Sequence, residues 1–269
     1  MKLVSSAKLR KAQNAIEAMR PYEEQLQGIL ASLQGGTAGV SSLNLAQNKD
    51  ERKIIVAIAS NSSLCGGFNA NAIAKVRAIR RPGDTVYAIG RKMADAMRKE
   101  GFASPEDFSA LSEHPSYGPA AALVEKLVAD VEAGRTGAVV LVYNHFVSTA
   151  RQEPVVEVLM QRESPDQVGG DRGAEERDSS PAPSYIAPLL EPSRAALLEA
   201  LVPKTRKLKL YAALLDSAAA EHAARTVAMQ TATDNAENLL AELTLQYNKG
   251  RQQKITSEIL DLAGGQAEN

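Results

Sequence analysis

The sequence predicts an α/β protein in which the amino- and carboxyl-terminal segments form a long antiparallel two-helix coiled coil, with a βαβ domain inserted between them. Three observations carry this. From Lys204 to Lys249 the chain runs 46 residues without glycine or proline, and helical spacing resumes past Gly250 as far as Leu262. A second stripe at helical spacing fills the first 33 residues, and the segment between alternates short apolar runs with helical stretches.

The carboxyl-terminal helix comes first because its length decides the architecture. A helix over residues 204–262 spans about 88 Å, whereas a compact globule of 269 residues is about 48 Å across. It must protrude. Leu208, Tyr211, Leu215, Ala218, His222, Met229, Ala232, Ala236, Leu240, Leu243 and Tyr247 recur at spacings of three and four, the seam of a coiled coil rather than the broad face of a surface helix. Small residues at mid-seam let a partner approach closely, and His222 is expected to pack there.

That partner lies at the amino terminus. Leu9, Ala12, Ile16, Met19, Leu26, Leu30 and Leu33 form one stripe, interrupted by Glu23, up to Gly35-Gly36. Pro21 is expected to kink this helix without ending it. Residues 1–33 reach only about 50 Å. With antiparallel helices and aligned bases, more than about 35 Å of the longer helix is then left unpaired and calls for an external partner.

Between the helices, strands are predicted at 54–59, 86–89, 138–143 and 155–160, and helices at 71–80, 91–100 and 118–133. Crossovers of this length imply a parallel, doubly wound sheet, with the last strand as an antiparallel edge. Residues 162–184, rich in Pro, Gly, Ser and charge, read as a flexible insertion. Glu191-Pro192-Ser193 reads as a helix start, with Pro203 a kink beyond it. The domains are accordingly 1–47 (amino-terminal helix), 48–161 (globular), 162–192 (insertion and foot) and 193–269 (carboxyl-terminal helix).

Composition narrows the function. With 31 basic and 32 acidic residues the net charge is −1, which argues for neither nucleic acid nor an anionic membrane surface. One cysteine rules out an internal disulfide. Aromatic residues at 4% with no Trp leave no stacking platform for single strands. No apolar run approaches the ~18 residues of a membrane span, and the opening Met1–Ser6 is too short in apolar residues for a secretory signal. A soluble, reducing compartment is expected.

The loop Ser60–Asn69 follows the first strand, where a doubly wound sheet would hold a nucleotide. It carries neither G-x-G-x-x-G nor G-x-x-x-x-G-K-[ST], so the phosphate cradle and its lysine are missing. Arg91, after the second strand, is expected to be solvated rather than to face a 2′-phosphate. Cys65 would serve as a nucleophile only with His145 beside it; a small thiol packed in a tight turn is the commoner case. His114, His145 and His222 show no spacing with acids or cysteine that makes a metal site.

Ser62-Ser63-Leu64-Cys65-Gly66-Gly67-Phe68-Asn69 in the first loop, Ala228–Ala236 (AMQTATDNA) in the shaft and Tyr247–Ile259 (YNKGRQQKITSEI) beyond it, set in a long helix, a Rossmann-like insertion and a longer helix, carry a resemblance that covers essentially the whole chain. With them the chain resembles the gamma subunit of bacterial F-type ATP synthase. The resemblance implies a central rotor stalk with a Rossmann-like inserted domain and neither active site nor cofactor of its own. The coiled coil would sit inside the α/β hexamer, and the globular domain on the ring of c subunits with the epsilon subunit beside it. One copy per complex is implied, peripheral to the membrane on the cytoplasmic face of the bacterial inner membrane. By the family's pattern Arg251, Gln252, Thr256 and Glu258 engage loops of the hexamer, and Met1 and Arg225 lie near the β subunit's acidic lever. Leu190 and Glu191 match the foot facing the c ring and epsilon, although Leu190 stands where the family often has an aromatic residue. Family members also usually carry several helical turns before the motif that opens this chain, and the cysteine pair of chloroplast relatives is absent. The alternatives are a phosphate- or nucleotide-using enzyme with a coiled-coil arm, and a homodimeric scaffold.

Overall fold

A computed structural model describes residues 2–33, 52–102, 104–162, 191 and 193–265. Met1, Leu190 and almost all of the expected insertion lie outside the described residues.

Four strands form one sheet in the order β2-β1-β3-β4: β1 (Lys53–Ile58), β2 (Thr85–Ile89), β3 (Ala138–Phe146) and β4 (Gln152–Gln161). β1 pairs in parallel with both β2 and β3, and β4 closes the far edge antiparallel to β3. β1 is buried at every residue, the burial its continuous apolar run demands of a strand covered on both faces.

The two covers divide by strand alternation. Ile54, Val56, Ile58, Leu141 and Met160 face a layer made by α5 (Tyr117–Glu132), the five-residue α4 (Ser109–Glu113) and part of the long carboxyl-terminal helix. Ile55, Ala57, Ala88 and Val142 face α2 (Phe68–Ile79) and α3 (Arg91–Lys99), which contribute Ala72, Val76, Met93 and Met97. The sheet is therefore wound on both sides, as expected. α4 has no counterpart in the sequence reading; it is too short to show a helical period.

The two end helices are α1 (Lys2–Leu33) and α6 (Arg194–Gly265). α1 runs through Pro21, as expected. α6 is 72 residues long, about 108 Å. It begins ten residues before Lys204 and takes Pro203 into its third turn without ending. Ser193 starts it, its Oγ accepting from the Ala196 N–H at 3.2 Å. Lys2 Nζ bonds Gln230, and Leu9 packs on Ala219 and Ala223. The pairing of α1 with α6 is therefore antiparallel.

In the paired stretch α6 is buried on two sides. Ala219 and Ala223 meet Leu9 of α1, with Ala12 and Ile16 alongside. Ala220 and Ala224 meet Cys65 and Phe68 of the domain, and Leu210, Ala213 and Leu214 lie on the sheet. The single seam through Ala218 and His222 is thus replaced by two adjacent stripes of alanine. Past Gln230 the helix changes character, and every residue from 231 to 260 is exposed. That reach is about 45 Å.

Candidate functional site

The exposed upper reach of α6 is the first part of the site. Leu240, Leu243 and Tyr247, the continuation of the predicted seam, are 66%, 52% and 69% exposed. With Ile255 and Ile259 also in solvent, this reach carries apolar surface of the kind that marks a contact with other chains. Arg251 and Glu258 stand seven residues apart on one stripe, and Gln252 and Thr256 four apart on the next. Thr256 Oγ1 turns back to the Gln252 carbonyl at 2.8 Å, and Lys254 Nζ lies 3.9 Å from Glu258 with both side chains mostly exposed. Arg251 makes no ion pair among the described residues. Glu191 is exposed just before the start of α6.

The loop after β1 is the second part, and it is filled with its own side chains. Ser60 donates its N–H to Asn69 Oδ1 (3.0 Å) and its hydroxyl to the Ser62 carbonyl (2.6 Å). Asn69 Nδ2 reaches Cys65 Sγ at 3.1 Å. Asn61 spans the mouth, accepting from the Arg91 N–H (3.0 Å) and donating to the Ser109 carbonyl (2.8 Å). Asn69 thus ties the loop to itself and Asn61 ties it to the starts of α3 and α4, while the Arg91 side chain is exposed. Gly66 (φ +56°) brings the loop against the helix, where a Cβ would meet that of Ala228 at 4.0 Å. Cys65 is buried among Phe68, Ala220 and Ala224. His145 is instead bonded to Asp216 of α6, Nδ1 to Oδ2 2.5 Å. Cys65 and His145 thus have different partners, and the thiol has the packing role.

The loop and the shaft are tied by Arg225. Its Nη1 donates to Glu221 Oε1 at 2.6 Å and its Nη2 to Ser62 Oγ at 2.8 Å. Both members of the ion pair are largely buried, at 13% and 11% side-chain exposure. Burial pushes the Glu221 carboxyl above its ordinary range and outweighs the pull of Arg225 in the other direction. His222, on the next position, has its Nδ1 buried without a hydrogen-bond partner among the described residues. Burial, with Arg225 and Lys8 nearby, lowers its pKa to about 4, so the ring is neutral in the physiological range.

A second tie joins β3 to α6. Asp216 takes the Phe146 N–H on Oδ1 (3.0 Å) and the His145 ring on Oδ2, and Phe146 packs against both alanine stripes. The sequence reading missed Asp216 and the Ser62–Arg225 bond. A lone carboxylate directly after the apolar run Tyr211–Leu215 was the available signal for Asp216; nothing in the sequence marks Ser62 as the receiver of Arg225. Among the described residues no cluster of three or more His, Cys, Asp or Glu is placed to hold a metal, and no helix is long and apolar enough to cross a membrane.

These features define a stalk protein, in which a small doubly wound domain is keyed to the base of a long helix whose upper reach, residues 231–260, is exposed along its length. The chain belongs to the ATP synthase gamma-chain family. A family model described as ATP synthase matches residues 1–267. The ATP synthase gamma chain of Phocaeicola vulgatus is 43% identical over 98% of this chain and 91% of its own length. That of Bacteroides fragilis is 42% identical over the same shares. In fold the chain is similar to a chain from the Euglena gracilis mitochondrial ATP synthase (OSCP/F1/c-ring, rotational state 3), at a TM-score of 0.60, 19% identity and coverage of 97% and 94%. It is likewise similar to one from the Tetrahymena thermophila mitochondrial ATP synthase central stalk and c-ring, at 0.59, 18%, 87% and 97%.

Proposed function

We infer that this chain is the central rotor stalk of an F-type ATP synthase, coupling ion-driven rotation of a ring to conformational change in the catalytic head. The observation that carries the reading is the division of α6. Its lower half is held on two sides by α1 and the domain, and residues 231–260 are exposed along their length. A helix of this kind, off-centre against one domain, presents a different face in each direction. Turning it inside three catalytic subunits favours a different conformation in each, and nucleotide affinity follows. The coupling is a free energy shared between the shaft contacts and distant sites.

Within that reading, Arg251, Gln252, Thr256 and Glu258 bond to loops of the α/β hexamer. Their exposure on two adjacent stripes supports this. Met1 and Arg225 lie toward the β subunit's acidic lever, Arg225 through whatever part of its guanidinium Glu221 and Ser62 leave free. Leu190 and Glu191 form the foot against the c ring and epsilon. One copy serves each complex, peripheral to the cytoplasmic face of the bacterial inner membrane. Domain limits at 1–47, 48–161, 162–192 and 193–269 suit these roles.

Co-purification from membranes with a tag on this chain tests the reading. The α, β, epsilon and c subunits are expected in the eluate, with one gamma per three β. Recovery of the tagged chain as a free monomer or dimer would overturn it.

A further inference from the structure

The end of the sheet opposite the Ser60–Asn69 loop carries a cavity of about 600 Å³. Arg52 precedes β1, Arg135 follows α5 and Arg162 follows β4, and all three line it. Backbone bonds fix where they stand. The Arg52 carbonyl accepts the Gly137 N–H (2.9 Å) and the Thr136 hydroxyl (2.9 Å), and the Arg162 N–H donates to the Gly137 carbonyl (2.8 Å). The Arg135 N–H donates to the Asp130 carbonyl at 3.0 Å. Two glycines of the wall leave room for the side chains. A Cβ on Gly134 (φ +70°) would meet Arg162 Nη1 at 3.4 Å, and one on Gly83 (φ +97°) would meet Arg52 Nε at 3.8 Å.

The charge of this cavity does not cancel. Asp130 is committed to Arg135 Nε (2.8 Å) and to the Tyr87 hydroxyl (3.4 Å). Lys53, its side chain 8% exposed, also lines the cavity, but it donates to the Ile79 carbonyl at 2.5 Å and lies 3.9 Å from Asp84. Arg52 and Arg162 make no ion pair and no side-chain hydrogen bond among the described residues, and the Thr85 hydroxyl beside them is equally unused. We propose that the cavity binds a multivalent oxyanion of the phosphate class, taken between the guanidiniums of Arg52 and Arg162. Two unpaired like charges lining one concavity repel, and an anion carrying more than one negative charge relieves both. Each planar fork can give two parallel N–H bonds to phosphate oxygens, which an ammonium cannot. The charges line a hollow rather than a flat face, so the ligand is a free anion and not a bilayer surface. The inference does not depend on the rotor reading.

Calorimetric titration of inorganic pyrophosphate into the full chain at low salt tests it. One site per chain is expected, with a Kd below about 1 mM, weakening as sodium chloride is added. Arg52→Gln and Arg162→Gln should each weaken binding by at least about tenfold. Both side chains are exposed, so melting temperatures should stay at the parental value. Arg10→Gln removes the same charge from an exposed position of α1 and should leave binding alone. The site is refuted if pyrophosphate does not bind, if both cavity variants bind as the parent does, or if Arg10→Gln weakens binding equally. Binding to phosphatidic acid vesicles without binding to pyrophosphate would place the phosphate on a lipid and overturn the free-anion reading. Should one cavity variant fail to fold, the other decides.

Discussion

Arg225 Nη2 donates to Ser62 Oγ at 2.8 Å across 163 residues of sequence, while its other terminal nitrogen holds Glu221 one turn away on the same helix. The guanidinium thus closes the side of the Ser60–Asn69 loop that faces the shaft. Lysine offers no such fork.

Arg225→Ala leaves Glu221 buried and unpaired, and should cost the isolated chain about 3 kcal/mol. Ser62→Ala removes one neutral acceptor and should cost about 1 kcal/mol. Urea denaturation followed by circular dichroism measures both. Adding Glu221→Gln to Arg225→Ala should recover most of the loss; if it recovers nothing, the ion pair is not the source of the effect.

Gly90 and Gly250 should respond to alanine with opposite signs. At Gly90 (φ +99°) a Cβ would stand 2.1 Å from the Ala59 carbonyl oxygen, and that backbone is fixed by the Ala59 N–H bond to the Ile89 carbonyl at 2.9 Å. Gly90→Ala should cost at least about 2 kcal/mol. At Gly250 nothing lies within 4 Å, and alanine should strengthen the exposed helix by about 1 kcal/mol. Melting temperatures of the two variants, measured side by side, check both signs.

His222 sets an acid limit. Its folded pKa of about 4 lies below the ordinary 6.5, so the unfolded chain takes up a proton as pH falls through 6.5 while the folded chain resists until about 4. Its contribution is full above that window and is lost across it. His222→Gln should match the parent at pH 7.5 and exceed it at pH 4.5; equal acid sensitivity in both chains would place the titrating group elsewhere.

Changing Arg251 and Gln252 together to alanine separates a contact role from a structural one. Helix propensity stays high, so the isolated chain should keep its circular dichroism. Bonds to charged partners are worth about 1.5 to 3 kcal/mol each, so reconstituted complex should lose assembly or ATP-driven pumping by at least about tenfold. Unchanged pumping and assembly would remove these residues from the interface.

Much of this was legible in the sequence, for identifiable reasons. The glycine- and proline-free run gave the long helix, and the shorter stripe at the amino terminus gave an unpaired reach that the exposure of residues 231–260 bears out. β1 was visible because burial on both faces leaves a continuous apolar run. The alanine packing was harder. A coiled-coil period assumes one partner, whereas α6 between Leu208 and Ala224 has two, so Ala219, Ala220, Ala223 and Ala224 fall outside a single stripe. The polar ties were invisible for another reason. Ser62 with Arg225, and His145 with Asp216, are joined only by the folded topology, and no local spacing encodes them.

The alanine stripes have a mechanical meaning. Long side chains between a drive shaft and its collar would bend through their rotamers before any load was passed on. Ala219 and Ala223 on one side, with Ala220 and Ala224 on the other, have no such freedom. Backbone bears almost directly on α1 and on the Cys65–Phe68 turn. Twist applied to the domain therefore reaches the helix with little backlash, and the elastic give of the rotor must reside elsewhere along its length.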